Sequence, residues 1–120
     1  MQYLLLIYGP ESRWATLSEA ESGALIGEYQ TFGDSIRAQG IMEGGAPLQP
    51  VATAKTVRVR EGRMTVSDGP FAETREQLAG YYLVDCETEQ EAVDAAARIP
   101  DARFGSIEVR PLMAFPPRDP

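Results

Sequence analysis

The chain has 120 residues, 43% of them hydrophobic, which is enough for one domain with a single core. Its net charge of −7 argues against direct binding of nucleic acid, because affinity for phosphate backbones comes from clustered Lys and Arg. The lack of histidine and the single cysteine, Cys86, exclude an intrachain disulfide and the usual Cys/His zinc sites. We therefore expect one domain with no bound metal and no cofactor.

The apolar runs of the chain are short. Residues 4–7 form one such run near the start, far below the roughly 18 residues of a membrane span, and no signal-peptide pattern precedes it. We expect a cytoplasmic protein without membrane contact. Ten of the eleven basic residues are Arg, whose planar guanidinium suits carboxylates and phosphates better than the Lys55 ammonium does. This composition leaves a small anionic ligand as one class of partner.

The first forty residues predict a strand and a helix. Residues 3–8 are almost continuously apolar, a pattern typical of a strand buried on both faces in the centre of a sheet. Ser18 and Glu21 have the spacing of a capping box, and Gly40 ends the pattern, so we predict a helix over residues 18–39. The apolar face of this helix carries Leu25, Tyr29, Phe32 and Ile36.

The middle of the chain predicts a short strand followed by a hairpin. Residues 41–48 contain two glycines and end near two prolines, which indicates a short strand giving way to a loop. Residues 55–67 alternate apolar and polar side chains on both sides of Glu61-Gly62, a two-residue turn. The resulting register pairs Val57 with Val66, Val59 with Met64, Arg60 with Arg63 and Lys55 with Asp68.

The last third of the chain predicts a strand, a helix and a strand. Residues 79–85 are apolar and form the first of these strands. Thr88 and Glu91 have capping-box spacing, and Pro100 ends the helix that they begin. The predicted apolar face of this helix consists of Ala92, Val93, Ala96 and Ala97. Residues 106–110 alternate as the last strand, with Ile107 and Val109 on one side.

The order of these elements predicts an α+β fold. Strand, helix, strand, strand, helix, strand with helices on one face describes a ferredoxin-like βαββαβ sandwich, here with a β-hairpin inserted. Residues 1–113 form the single domain, and the Pro-rich residues 114–120 form an extended tail. Such a sheet has one open face, which either a second copy of the chain or its own long loops must cover. We expect a homodimer.

Four blocks of sequence resemble the YCII-related family, in particular its members with a DGPF motif. The blocks are MQYLLLIYG, GGAPLQPVATAKTVRVREGR, SDGPFAETREQLAGYYLVD and ARFGSIEVRPLM, in that order along the chain. The resemblance implies a bacterial protein with a ferredoxin-like fold of the dimeric α/β barrel type, in which two sheets close around interior pockets. It also implies an association with extracytoplasmic-function sigma factors, as neighbouring or fused modules.

The sequence departs from the family pattern at two places. The position of Arg75 is frequently Lys in the family, which keeps the charge but changes the hydrogen-bond geometry. Some members of the wider YCII group are similar to enzymes with a His–Asp pair in the pocket, whereas the first predicted helix here offers Glu28 and Tyr29. We therefore expect no histidine-dependent catalysis.

The DGPF motif has a structural and a functional interpretation. Asp68 can accept bonds from backbone N–H groups, Gly69 is permissive and Pro70 fixes φ, so the three form a stiff corner. In the structural interpretation this corner ends the hairpin and Phe71 fills the core. In the functional one, Phe71 is the floor of a pocket, and the polar groups projecting into it are those of Asp68, Glu73, Arg75 and Glu76.

Other polar and aromatic residues carry weaker signals. Arg60 and Arg63, opposite each other in the hairpin, repel unless an anion or an acidic surface lies near them, although charged hairpins also serve to prevent edge pairing. Tyr8 and Trp14 flank a strand end where a pocket rim can form, or they simply pack. Acidic neighbours raise the pKa of Cys86, which disfavours a reactive thiolate.

Two functions remain. The first is a non-catalytic, accessory or regulatory module that binds a small molecule such as an organic acid, or a protein partner. The second is a cofactor-free enzyme of the dimeric α/β barrel type, an isomerase, hydrolase or oxygenase acting on a small organic acid. In that enzyme Asp68 or Glu73 is the base, Arg75 holds a carboxylate, and Tyr8 or Tyr29 donates a proton. The missing histidine favours the first function.

Overall fold

The computed structural model describes residues 1–116, which fold into a four-stranded sheet, a separate two-stranded hairpin and three α-helices. The elements in chain order are β1 (Gln2–Gly9), α1 (Glu11–Ala15), α2 (Glu19–Ala38), β2 (Met42–Pro47), β3 (Lys55–Arg60), β4 (Arg63–Asp68), β5 (Gln77–Asp85), α3 (Glu89–Ala97) and β6 (Ser106–Pro111). Two short 3₁₀ turns, Val51–Thr53 and Pro100–Arg103, precede β3 and β6.

The four-stranded sheet has the order β2-β5-β1-β6, and every neighbouring pair in it is antiparallel. β1 lies in the centre as predicted. Its side chains alternate, however: Tyr3, Leu5 and Ile7 are buried in the core with residues of α2 and α3, while the intervening side chains are only half-buried on the opposite face. The prediction of burial on both faces was therefore wrong for one face, because the helices cover only the other. The chain is an α+β protein.

Helix α2 begins and ends where the sequence predicts. The Ser18 hydroxyl accepts a hydrogen bond from the Glu21 backbone N–H at 3.1 Å, and the Glu21 carboxylate accepts one from the Ser18 N–H at 3.0 Å. Phe32 and Ile36 are buried against the sheet, and Tyr29 packs at the margin of the core. The one-turn helix α1 was not predicted, because five residues are too few to show a helical period.

The buried face of α3 differs in part from the predicted one. Ala92 and Ala96 are buried as predicted, but Val93 and Ala97 are exposed and Ala95 is buried instead. A period of 3.6 residues sets positions 92, 95 and 96 on one side of a helix and rotates positions 93 and 97 away from it. Small side chains at all these positions made the face hard to recognise from the sequence.

The hairpin of β3 and β4 has the predicted turn and register. It forms its own two-stranded sheet, and neither strand packs to a comparable extent on any other helix or strand of the described chain. The radius of gyration is 16.9 Å, against roughly 14 Å for a compact domain of this length. We call residues 55–68 the arm, because they project from the remainder, which we call the body.

Within residues 1–116, no helix has both the length and the apolar character that a membrane crossing requires. Residues 114–116 of the predicted tail form no helix or strand, and its last four residues lie outside the described part of the chain.

Candidate functional site

A cavity of about 920 Å³ lies between α2 and the sheet. Its walls come from α1, the N-terminal half of α2, strands β2 and β5 and the loop after β2. The lining is predominantly apolar. Gly45 and Gly80 let β2 and β5 approach closely there, because a Cβ at Gly45 would lie 2.7 Å from the Tyr81 carbonyl oxygen and one at Gly80 would lie 2.9 Å from the Ala46 carbonyl oxygen. Both the volume and the mixture of apolar walls with a few polar groups are typical of sites that bind small molecules.

The carboxylate of Asp101 is the most buried polar group in this region, with 4% of the residue exposed. One oxygen, Oδ1, accepts hydrogen bonds from Arg13 Nη1 at 2.7 Å and from Trp14 Nε1 at 3.2 Å. The other, Oδ2, accepts one from the Tyr29 hydroxyl at 2.5 Å. A buried carboxylate must be paired and hydrogen-bonded to be tolerated, and these three donors do both. We call these four residues the Asp101 cluster.

Three parts of the chain position the Asp101 cluster. Tyr29 follows from the amphipathic period of α2, while Arg13 and Trp14 lie on α1 directly after Pro10. Asp101 follows Pro100, which begins a 3₁₀ turn whose backbone is fixed by bonds from residues 104 and 105 to the Asp101 carbonyl. The Arg13 guanidinium also stacks on the ring of Phe104, 3.7 Å from its centroid. The cluster therefore ties α1 and α2 to the turn before β6.

The Tyr29 hydroxyl of the Asp101 cluster does not readily release its proton. Burial, followed by the hydrogen bond to the Asp101 carboxylate and its negative charge, raises the pKa of Tyr29 far above the ordinary phenol value. Burial also raises the pKa of Tyr82, which lines the same cavity. Both phenols therefore stay neutral at physiological pH. Tyr29 donates its hydroxyl proton to the Asp101 carboxylate in a hydrogen bond, and the ring of Tyr82 forms part of the cavity wall.

The mouth of the cavity carries two further charged groups, Glu11 and Arg37. Glu11 accepts a hydrogen bond from the Val51 backbone N–H at 2.7 Å, which holds the loop after β2 in place. Arg37 is largely exposed and has only a long contact, 3.4 Å, with the exposed Asp34. Arg37 is therefore the cavity residue whose cationic group is most accessible to a ligand.

The structure places the predicted site residues in different regions. Tyr29 lines the cavity, as does the weaker candidate Trp14. Tyr8 lies on β1 directly after the buried Ile7, on the opposite face of the sheet. Glu28, the neighbour of Tyr29, points away from the sheet and pairs with Arg103 at 2.8 Å on the surface.

The DGPF corner lies at the root of the arm, outside the cavity. Asp68 pairs with Lys55 across the hairpin, and both side chains are largely exposed. The Gly69 N–H donates to the Ala54 carbonyl at 2.7 Å, and the Gly69 carbonyl accepts from the Thr56 hydroxyl at 2.8 Å. These bonds tie the corner to the first residues of the arm. The prediction that Asp68 accepts from backbone N–H groups differs from the structure, in which its carboxylate pairs with Lys55 and the bonds of the corner come from Gly69.

Phe71 and the charged residues after it project into solvent in the single chain. Phe71 is 81% exposed, so the interpretation of this ring as a core residue was wrong. Glu73 and Arg75 are also exposed, and neither they nor Phe71 line the cavity. The reason is the direction of the corner, which turns the chain along the surface toward β5 instead of into the core.

Arg13 and Asp101 were missed by the sequence analysis, although both belong to the cluster. Asp101 gave one signal, an acidic residue directly after a helix-ending Pro and among small residues, which can also be an ordinary turn. Arg13 gave none. Their contact joins positions 88 residues apart, and no local pattern encodes such a pairing.

Cys86 is a buried core residue. Burial is the main cause that raises its pKa, and the charges of Glu91 and Asp85 add to it. The predicted direction is confirmed, but the first cause is burial, and Glu91 contributes from α3. Within residues 1–116, no three His, Cys, Asp or Glu side chains group closely enough to hold a metal ion.

The family model of the YCII-related domain matches residues 1–116. The chain belongs to the YCII-related family. This member is 38% identical over 119 residues to an uncharacterized protein of Rhizobium meliloti (strain 1021), and the match covers 98% of this chain and 96% of the relative. The two sequences are therefore similar over nearly their whole length.

Proposed function

We propose that this YCII-related protein is a cytoplasmic, homodimeric accessory module that binds a small organic acid in the cavity beside α2. The observation that carries the proposal is the cavity itself, about 920 Å³ with apolar walls and a few convergent polar groups. An apolar ligand body suits these walls. A ligand carboxylate suits Arg37 at the mouth, because a guanidinium and a carboxylate form paired, charge-assisted hydrogen bonds.

The arrangement of the sheet supports the dimeric part of the proposal. The order β2-β5-β1-β6 with antiparallel neighbours agrees with a ferredoxin-like layer, and the helices cover only one face. On the other face the half-buried Leu4, Leu6 and Leu83 have no helix over them. A second copy of the chain, in an assembly of the dimeric α/β barrel type, withdraws this face from water.

The geometry of the cavity supports binding rather than turnover. Both oxygens of Asp101 already accept hydrogen bonds, and the raised pKa of Tyr29 makes this phenol a weak proton donor. The candidate bases Asp68 and Glu73 do not line the cavity. The association with sigma factors comes from the family resemblance and names a further partner to test, by co-elution with a purified sigma factor.

The binding proposal is tested by thermal unfolding with matched pairs of probes. We expect phenylacetate and hexanoate to raise Tm more than phenylacetamide and hexanamide, which have the same apolar bodies without the charge. At ten times its Kd a ligand stabilises a protein by about 1.4 kcal/mol, which corresponds to a rise of roughly 5 °C for a small domain. A panel of such acids that leaves Tm unchanged contradicts the proposal.

A pair of variants locates the binding site. Arg37→Gln removes the cation at the cavity mouth, so we expect the advantage of the acids over the amides to disappear. Arg98→Gln is the matched control, since its guanidinium bonds to Ser35 and Gln39 outside this cavity. Loss of the advantage in both variants, or in neither, shows that the acids bind somewhere else.

A further inference from the structure

The guanidinium of Arg37 lies over Gly33, one turn earlier on α2. A Cβ at Gly33 would lie 3.3 Å from Arg37 Nη1 and 3.8 Å from Arg37 Cζ, and Gly33 is buried. Glycine within a helix destabilises it relative to alanine, so helix propensity does not explain this residue. The missing side chain at position 33 leaves room for the guanidinium on the surface of α2.

The Arg37 guanidinium also faces the cavity, which both Arg37 and Tyr82 line. Burial raises the pKa of Tyr82, and the positive charge of Arg37 acts in the opposite direction, so the two groups are near each other. Long side chains of a helix point toward its N-terminus, which brings this guanidinium from position 37 back to the level of position 33. The cation therefore marks the Tyr82 end of the cavity.

The opposite end of the cavity is apolar and exposed. Ile26 of α2 and Leu48, which follows β2, both line the cavity, and they are 59% and 47% exposed. The Leu48 N–H donates to the Ala79 carbonyl at 2.7 Å, which fixes the Leu48 backbone beside β5. An apolar ligand that reaches this end withdraws both side chains from water, which favours binding in proportion to the area covered.

The two ends are roughly 10 Å apart along both walls of the cavity. On α2, positions 26 and 33 are seven residues apart, and a helix rises about 1.5 Å per residue. On β5, Ala79 and Tyr82 are three residues apart, and a strand rises about 3.4 Å per residue. An extended carbon chain advances roughly 1.25 Å per carbon, given C–C bonds of about 1.5 Å and angles of about 111°. A chain of about eight carbons therefore spans the distance.

Arg37 is the charged group that this cavity leaves for a ligand. The donors of the Asp101 cluster already bond to its carboxylate, and Glu11 accepts a hydrogen bond from the Val51 N–H. The two amides of the lining, Gln30 and Gln49, are exposed to water. The negative charge of Glu11 also repels a second carboxylate on a ligand. A single carboxylate at one end of an unsubstituted chain therefore matches the polar groups of the cavity.

We propose that the cavity binds a straight-chain monocarboxylic acid of about eight to ten carbons, with its carboxylate on Arg37 and its chain directed along α2 toward Ile26 and Leu48. This inference rests on the proposed binding function and names the ligand class of the same cavity. Gly33 is a positioning residue in this arrangement, because it acts through the place that it gives the Arg37 guanidinium.

Isothermal titration calorimetry of the full chain with acids of increasing length tests the ligand class. Each buried methylene tightens Kd about fourfold, so we expect octanoate to bind at least about tenfold more tightly than hexanoate. Beyond ten carbons the added methylenes reach solvent, and decanoate and dodecanoate should differ by less than about twofold. Octanedioate has the same length with a charge at each end, and it should bind at least about tenfold more weakly than octanoate.

Variants at the apolar end test the direction of the chain. Ile26→Gln/Leu48→Gln removes the apolar contacts of the last methylenes, so the preference for octanoate over hexanoate should fall below about threefold. Val93→Gln is the control. Val93 is also an apolar helix residue, 42% exposed, but it does not line the cavity, so this variant should keep the wild-type preference.

Alanine substitutions on α2 test the place of Arg37. A Cβ at Gly33 displaces the guanidinium, whereas a Cβ at Gly23 meets nothing within 4 Å. Both Gly33→Ala and Gly23→Ala should raise the Tm of the unliganded protein, because alanine favours a helix. Gly33→Ala should weaken octanoate binding at least about threefold relative to Gly23→Ala, since paired bonds to a carboxylate depend on geometry, while octanamide binds both variants equally.

The outcomes separate the ligand class from the proposed function. Equal Kd values for hexanoate, octanoate and decanoate, with acids still preferred to amides, overturn the straight-chain ligand and leave the proposed binding function standing. Octanoate that binds Gly33→Ala as tightly as Gly23→Ala overturns the place of the guanidinium. An unchanged chain-length preference in Ile26→Gln/Leu48→Gln overturns the direction of the chain. A wild-type protein that binds none of the acids overturns the proposed function itself.

Discussion

In the Asp101 cluster, charged and polar side chains from positions 13, 14, 29 and 101 meet in one buried place, whereas in the arm and its DGPF corner charged side chains adjacent in sequence point into solvent. Each region contains an Asp paired with a basic residue. They differ in how much of each pair is exposed: the side chain of Asp101 is 6% exposed and that of Asp68 is 85% exposed. A group of charges in the sequence is thus a poor guide to a group of charges in space.

The difference has a physical cause. A carboxylate in the core must find donors to offset its lost hydration, so the fold collects them from wherever the chain passes. A carboxylate on an exposed hairpin is already hydrated, and its ion pair contributes little. Substitutions at matched positions of the two regions should therefore lower the free energy of unfolding by very different amounts.

Gly105→Ala and Gly69→Ala should show the largest contrast. A Cβ at Gly105 would lie 2.0 Å from the Tyr8 carbonyl oxygen, and this is a backbone atom of the central strand that cannot move aside. We expect a loss of about 3 kcal/mol or more in the free energy of unfolding. At Gly69 a Cβ meets nothing within 4 Å, and only the φ of +89° is unfavourable, which costs about 1–2 kcal/mol.

Urea unfolding of both variants measures this contrast. Gly62→Ala, in the turn at the tip of the arm, is a control for a second positive φ with open space around it. A Gly105→Ala protein that loses no more stability than Gly69→Ala would contradict the close packing of β1 against the turn before β6.

Asp101→Ala and Asp68→Ala compare the two ion pairs directly. Removing Asp101 leaves the Trp14 and Tyr29 donors without their acceptor in a largely buried place, so we expect a loss of about 2–3 kcal/mol. Removing Asp68 breaks an exposed pair with Lys55, for which we expect a change within about 0.5 kcal/mol.

A further variant, measured by the same urea unfolding, serves as a control for Asp101→Ala. Asp94→Ala, at an exposed position of α3, controls for the loss of one negative charge from the body. Equal losses for Asp101→Ala and Asp94→Ala would mean that the Asp101 cluster is accessible to water in solution.

Local patterns predicted most of the fold. The capping box at Ser18, the alternation in the arm and the apolar period of α2 each specify a structure within a few residues, so each was confirmed. Helix α1 and the turn before β6 were not predicted, because each is only about one turn long. The exposed face of α3 was misjudged because alanine carries little hydrophobic contrast between its faces.

The site was less predictable for the same reason. Tyr29 could be named because it lies on a strong helical pattern, whereas Asp101 depends on a contact with α1 that is specified only by the assembled sheet. The density of charges in the DGPF stretch indicated a pocket wall. In the structure this stretch lies at the root of the arm, where Gly69 forms hydrogen bonds with Ala54 and Thr56. That this stretch also contacts a ligand stays a prediction.

Tyr29→Phe should have a smaller effect at neutral pH and a distinctive one at high pH. Loss of the hydroxyl leaves the Asp101 oxygen Oδ2 without its donor and costs about 1.5 kcal/mol. The pKa of Tyr29 is higher in the folded protein than in the unfolded chain, where a phenol titrates near 10. Its contribution is therefore complete below pH 10 and is lost as the pH rises above 10, because only the unfolded chain then releases the proton.

The two proteins are compared by urea unfolding at intervals from pH 8 to pH 11. Above pH 10 we expect the wild-type protein to lose stability more steeply than Tyr29→Phe, by up to about 1.4 kcal/mol per pH unit, the value for one proton. Tyr82 and Cys86, whose pKa values burial also raises, remain in both proteins and cancel in the difference. Parallel curves over this range would mean that the Tyr29 hydroxyl is hydrated, and that the body is as open to water at this point as the arm.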